Sequence, residues 1–249
     1  MDLATLKSTA AFVVACFSLA VGVSGYAKTY EFVPVISDPK IQQLVYSQGK
    51  PVGLSVLPTS AVAISCDLQS GDLWVNVSAE NMSSAALDIN PLKTQVVVYP
   101  EKKPEKVLEV YDPVKYVARL RRNQAWAVAL GGLSNALNSR NAGNSYSTTN
   151  FSGVGGGTSF SGVATTETYD YSKEMAVRQA QQYQLMQQAS AYRASSDSVD
   201  AALLKQNTLP PRWMINGAVL CRFVKAPRIR ITLPLGTDVH QLEFKVEAR

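Results

Sequence analysis

The sequence predicts an α+β protein in which an antiparallel β-sandwich is interrupted by an inserted α-helical hairpin. Three observations carry this. Apolar and polar residues alternate in short runs over 28–111 and again over 207–249, the period-two pattern of half-buried strands. Between them, 112–206 changes to apolar residues three and four apart, the helical period. Neither β segment is comfortable as a pair of sheets alone, whereas together they supply about nine strands, enough for one sandwich.

In the first β segment, strands are expected over 30–36, 52–57, 61–68, 73–80, 94–98 and 107–111. The clearest is 73–80, where Leu73, Val75, Val77 and Ala79 alternate with Trp74, Asn76, Ser78 and Glu80 behind the turn Ser70-Gly71-Asp72. The insertion opens on Asp112-Pro113. Aspartate caps the first free amides of a helix, and proline fits its first turn without losing a hydrogen bond.

That helix should reach about residue 141, with Trp126, Leu130, Leu133 and Leu137 as one packing stripe. Gly131 and Gly132 each cost it roughly 1 kcal/mol relative to alanine, or let a partner helix approach closely. Residues 142–167 are dominated by Gly, Ser, Thr and Asn, which bury too little apolar surface to offset ordering, so a flexible loop is expected. A second helix is expected over 171–206 with Ala176, Ala180, Tyr183, Met186 and Ala189 as its stripe. Both helices are too weakly apolar to stand alone, so they should pair with each other or with other copies. The chain then returns to strands over 215–224, 229–233 and 241–246.

Residues 1–27 have Lys7 ahead of an apolar run from 10 to 23 that closes on small residues near Ala27. They read as a cleaved secretory signal, placing the mature chain in the periplasm or outside the cell. The run is short of the roughly 20 residues that span a bilayer. Val13, Val14 and Ala15 before Cys16 also match a lipid-attachment pattern, but the apolar run continues past that cysteine. Lipid anchoring at Cys16 is therefore the minor alternative.

Removing residues 1–27 takes away one acid, Asp2, and one base, Lys7, so the net charge stays at +5. Cys66 and Cys221 both fall on the apolar side of alternating segments. In an oxidising compartment they either close a disulfide across the sandwich or remain two small buried thiols.

No catalytic motif survives inspection. His240 is the only histidine, which removes multi-histidine metal sites. It is expected at the surface before the last strand, with a catalytic pairing to Asp238 as the rival reading. Ser37-Asp38-Pro39-Lys40 has the serine and lysine spacing of penicillin-recognising enzymes, but no Lys-Thr-Gly partner exists in the chain. The glycine-rich run 152–162 lacks the lysine of a phosphate-binding loop. No cofactor and no metal site is expected.

Arg119, Arg121 and Arg122 beside Trp126, and Arg228 and Arg230 among isoleucines, are basic clusters. Outside a cell they would meet anionic lipid or polysaccharide rather than nucleic acid. Asn76, Asn81 and Asn150 each begin an Asn-x-Ser triplet, relevant in a glycosylating host.

The run Leu-Lys-Gln-Asn-Thr-Leu-Pro-Pro over 204–211, followed by Ile215, Gly217, Val219 and Phe223, resembles the late segment of immunoglobulin-like domains in uncharacterised bacterial exported proteins. The stretch 73–91, with Asn81, Leu87, Ile89 and Pro91, is similar to the paired strands of the same domains. The resemblance implies an immunoglobulin-like sandwich and a bacterial source, and brings no catalytic residue with it.

The resulting expectation is a non-enzymatic envelope protein that binds other envelope proteins, or further copies of itself, through the hairpin. Its surface would be Trp126, Leu130, Leu133 and Leu137, with Arg119, Arg121 and Arg122 as an anion contact. The alternatives are an extracytoplasmic cell-wall hydrolase using His240 or a carboxylate, and an accessory or inhibitory subunit of an exported machine. Deleting 112–206 should leave a folded β unit and abolish association.

Overall fold

The computed structural model describes residues 30–139, 142, 144–155 and 158–248. Residues 1–27, over which a signal is expected, lie outside the described residues, Cys16 among them. The protein is α+β, built mostly of antiparallel sheet with two helices.

The first β segment forms β1 (Tyr30–Val35), β2 (Gln42–Ser47), β3 (Lys50–Val56), β4 (Ser60–Gln69), β5 (Asp72–Asn81), β6 (Leu87–Ile89), β7 (Gln95–Tyr99) and β8 (Lys106–Leu108). The insertion runs α1 (Pro113–Ser139), β9 (Asn144–Gly155), β10 (Thr158–Tyr169) and α2 (Tyr171–Ala202). The chain ends in β11 (Asn207–Leu209), β12 (Met214–Arg222), β13 (Arg228–Leu235) and β14 (Asp238–Ala248). Every strand expected from alternation is present, and β2, β6, β9, β10 and β11 are additional.

One sheet has the order β1-β14-β13, with β13 then flanked by β7, which carries β8. The last residue of β13, Leu235, pairs with Ile89 of β6, which in turn pairs with β11. The other sheet has the order β12-β5-β4-β3-β2. Alternation dictates which residues turn inward: Leu73, Val75, Val77 and Ala79 from β5 and Ile229, Ile231, Leu233 and Leu235 from β13 belong to one buried cluster drawn from both sheets. Burying such a side chain contributes about 1.5–3 kcal/mol, so this cluster is what holds the two sheets.

Local chemistry sets the register. β4 and β5 turn through Ser70 and Gly71, both with positive φ (52° and 85°), the two-residue geometry that matches strand twist. Asn81, fully buried, donates to the carbonyls of Ala85 (2.7 Å) and Leu209 (2.8 Å) and accepts from the amide and hydroxyl of Ser83. It thus ties β5 to the turn after it and to β11, and its amide nitrogen is not available for a glycan.

The chain divides into two compact units, one of 1–116 with 199–249 and the other of 117–198. This moves the expected insertion boundaries of 112 and 206 inward. Beyond the end of α2, Leu204 donates its amide to Ala218 (2.9 Å) and belongs to the buried cluster. The residues around 203–204 are therefore core of the β unit and not part of the hairpin.

The expected flexible loop over 142–167 is corrected as well. β9 and β10 pair antiparallel along their whole length, from Asn144 against Tyr169 to Gly155 against Thr158. A composition argument weighs apolar burial alone. Here cross-strand backbone bonding and alternating Thr, Val and Tyr supply what burial does not.

Candidate interaction surface

Helix α1 starts where the sequence places it. Asp112 accepts from the amides of Val114 (2.9 Å) and Lys115 (3.2 Å). Asp170 caps α2 the same way, accepting from Ser172 (2.9 Å) and Lys173 (3.2 Å). The Ser172 hydroxyl and these amides hold the Asp170 carboxyl below its usual range. Glu174, buried in the first turn of α2, is held by the hydroxyl of Tyr169 and by Arg178, which joins β10 to the helix after it.

The two helices pair antiparallel within their unit, with Leu185 against Gly131 and Gly132 and Arg121 bonded to Asp197 at 3.0 Å. Along α1 the shielded positions are Val117, Leu120, Gln124, Val128, Gly131 and Asn135, spaced three and four apart. Along α2 they are Val177, Gln181, Leu185 and Ala189. At about 100° per residue, the α1 stripe lies roughly half a turn from Trp126, Leu130 and Leu133, and on α2 Tyr183 and Met186 fall away from the seam while Ala189 lies in it.

The expected packing stripes are therefore on the outside. Trp126 is 64% exposed, Leu130 61% and Leu133 60%, while Tyr183 is 63% and Met186 68% exposed on α2. Leu137 lies in α1, and its side chain is outside the described residues. The physical reason is approach distance: Gly131, with Leu185 against it, suits a close helix pair better than tryptophan and leucine do. Each helix thus has a seam that mixes glycine, alanine and amides with valine and leucine, while Trp126, Leu130 and Leu133 on α1 and Tyr183 and Met186 on α2 lie away from it.

The arginine cluster divides. Arg119 and Arg122 are exposed and share the outward face with Trp126. Arg121 turns to Asp197, both side chains more than half exposed, a pairing worth at most about 1 kcal/mol. Arg228 and Arg230 lie in the β unit, with their guanidinium groups 5.9 and 5.3 Å from the ring centroid of Tyr99. They form a separate basic face.

His240 is a second correction, because it is wholly buried. Its Nε2 lies 2.9 Å from Ser60 Oγ and its Nδ1 3.0 Å from Ser55 Oγ. Asp238 Oδ2 accepts from Ser60 Oγ (2.6 Å), Thr59 Oγ1 (2.6 Å) and the Thr59 amide (3.1 Å). Since the Ser60 proton is directed to Asp238, Nε2 must be the donor to Ser60, and Ser55 donates to Nδ1. That tautomer aims its one basic nitrogen, Nδ1, at Ser55, which is itself buried, while Asp238 bonds to Ser60 and not to the imidazole. Nucleophile activation requires the reverse order, with the acid on the far side of the imidazole.

Burial lowers the His240 pKa to about 4, against the opposing pull of Asp238. Burial opposes ionisation of Asp238 too, yet the Ser60 and Thr59 hydrogen bonds prevail and hold its carboxyl below the usual range. The group is a neutral histidine clamped by hydroxyls, joining β14 of one sheet to β3 and β4 of the other. The Ser37–Lys40 motif is no better placed. It sits in a turn where Asp38 accepts from the Lys40 amide (3.0 Å), and not on a helix that would stack lysine over serine.

Cys66 and Cys221 are free and buried, which corrects the disulfide across the two sheets. Both lie in the same sheet, Cys66 opposite Val75 and Cys221 opposite Leu73, so they flank β5. Two strand spacings separate them by about 10 Å, beyond the roughly 7 Å between Cα atoms that a bridge permits. Burial raises both thiol pKa values, that of Cys221 to about 12, so both are inert thiols.

Among the described residues there is no cluster of His, Cys, Asp and Glu able to hold a metal ion, and no helix long and apolar enough to cross a membrane. No protein-family model, curated protein or solved structure matches the chain.

Proposed function

We propose that this chain is an exported, non-enzymatic assembly protein of the bacterial envelope. Its two sheets are read as an immunoglobulin-like β-sandwich, which the shared buried cluster and the antiparallel pairing support. The sandwich carries the unit 117–198 as its association element, with other envelope proteins or further copies as partners. Arg119 and Arg122 add an anionic contact to that surface, on lipid headgroup or polysaccharide.

One observation carries the reading. Trp126, Leu130 and Leu133 on α1 and Tyr183 and Met186 on α2 are all more than half exposed, on faces away from the helix–helix seam. Exposing three such residues on α1 and two on α2 favours association, because covering each returns about 25 cal/mol per Å² of apolar surface.

The test is capture of the tagged chain from its native envelope after crosslinking, with a Trp126→Ser, Leu130→Ser, Leu133→Ser variant alongside. The variant is expected to fold, since those side chains are more than half exposed, and to lose the captured proteins. Equal capture by both chains would move the association surface elsewhere.

A further inference from the structure

In the unit 117–198, α1, with Trp126, Leu130 and Leu133 exposed, runs on into β9, and β10 runs on into α2, with Tyr183 and Met186 exposed. Asn144, the first residue of β9, pairs with Tyr169, the last of β10, so the chain offers an α1–β9 half and a β10–α2 half. Among the described residues β9 and β10 pair only with each other, as a two-stranded sheet. Their outer edges are long templates for a further strand.

Most edges of this length are blunted by charge or proline, and an isolated two-stranded hairpin is marginal in water. These strands are 12 residues each, contain no proline, and hold one charged residue, Glu167, already bonded to Tyr146 (3.1 Å). A strand matching either edge in length and antiparallel sense is the opposite edge of the same hairpin.

The helices point to the same pairing. α1 carries Lys115, Arg119, Arg121 and Arg122 and no acid. α2 balances Lys173, Arg178 and Arg193 with Glu174, Asp197 and Asp200, each acid already paired within the chain, and so brings no net charge. Two α1 helices side by side would set like charges together, whereas α1 against α2 does not.

We infer that the partner of both halves is a second copy of this chain, joined head to tail, with α1 and β9 of one copy against α2 and β10 of the next. Each copy then adds two strands to one continuous antiparallel sheet, and its outward apolar stripes meet their counterparts. Such an interface uses two different patches, so it propagates into a ring or an open filament and does not stop at a two-fold dimer. The inference rests on the association reading above and names its partner.

Leu130 and Met186 lie at nearly the same level of the helix pair, since Gly131 meets Leu185. Single Leu130→Cys and Met186→Cys chains, produced with residues 1–27 and purified, test the geometry with a short bismaleimide. Cys66 and Cys221 stay buried, and the unsubstituted chain is the control. The expected result is a crosslinked dimer when the two variants are mixed and none from either alone, and, by native mass measurement of the uncrosslinked chain, multiples of the monomer mass above two.

Product from Leu130→Cys alone would show a two-fold interface and overturn the inference. No product and a monomer mass would overturn it also. If envelope partners are still captured through Trp126, Leu130 and Leu133 in that case, the association reading survives. If they are not, both fall. A Thr149→Lys, Val163→Lys chain, charged on both faces of the hairpin, is expected to lose the mixed product with unchanged helix content. Full retention would overturn the continuous sheet.

Discussion

At the scale of single residues, buried polar groups and close backbone approaches make the sharpest predictions. His240 is neutral in both states above pH 6.5. Between 6.5 and about 4 the unfolded chain takes up a proton that the folded one refuses, so stability falls on acidification by up to about 1.4 kcal/mol per pH unit. The whole window amounts to about 3 kcal/mol. Asp238, whose pKa is lowered, contributes stability present above its unfolded value and lost as pH falls further, in the same direction. Thermal unfolding from pH 7 to 4 should show this slope, and His240→Gln should flatten it. A second position is Gly217, where a Cβ would stand 2.7 Å from Leu204 Cα and 2.8 Å from its nitrogen. Backbone cannot yield as a side chain does, so Gly217→Ala is expected to cost about 1–3 kcal/mol, measured by urea unfolding. None of this was visible in sequence, where Gly217 was one residue of an alternating strand and His240 looked like a surface residue. Burial of a histidine depends on hydroxyls supplied from positions 180 and 185 residues away.

At the scale of elements, strands were legible and helix faces were not. Period-two alternation places β5 and β13 wherever they pack, because side chains of a strand have only two directions. A helix has a continuum of faces, and α1 and α2 have apolar residues on opposing ones, so spacing alone chose the largest stripe. Packing chose the face on which Gly131 and Gly132 receive Leu185. Gly132 sits in that seam without being required by it, since a Cβ there would meet Leu185 Cδ1 at 3.7 Å, an ordinary contact. Gly132→Ala should therefore stabilise the helical unit by about 1 kcal/mol, seen as a later loss of helical signal on heating. The hairpin β9–β10 escaped the sequence for a different reason. Its evidence is a register between two segments, and neither segment alone differs from a polar loop.

At the scale of the whole molecule, the boundary of the insertion decides what can be removed. Leu204 is 1% exposed within the buried cluster, so excising 112–206 should strip core from the β unit. Excising 117–198 and joining the ends through a glycine-serine linker should leave a cooperatively unfolding β protein, while the wider deletion loses several kcal/mol by the cost of emptying a leucine site. Differential scanning calorimetry of both variants separates these outcomes. By itself the sequence determined the α+β class, the antiparallel strands, the helix starts at Asp112 and the division of the chain by an insertion. Each is written in neighbouring residues, through alternation, capping and spacing, and needs no distant partner. Tertiary structure alone decided which helix faces are covered, that Cys66 and Cys221 flank one strand, that His240 is enclosed, and that 144–155 and 158–169 are paired strands. Those outcomes depend on strand order and register, which bring together residues far apart in the chain and which no local pattern encodes.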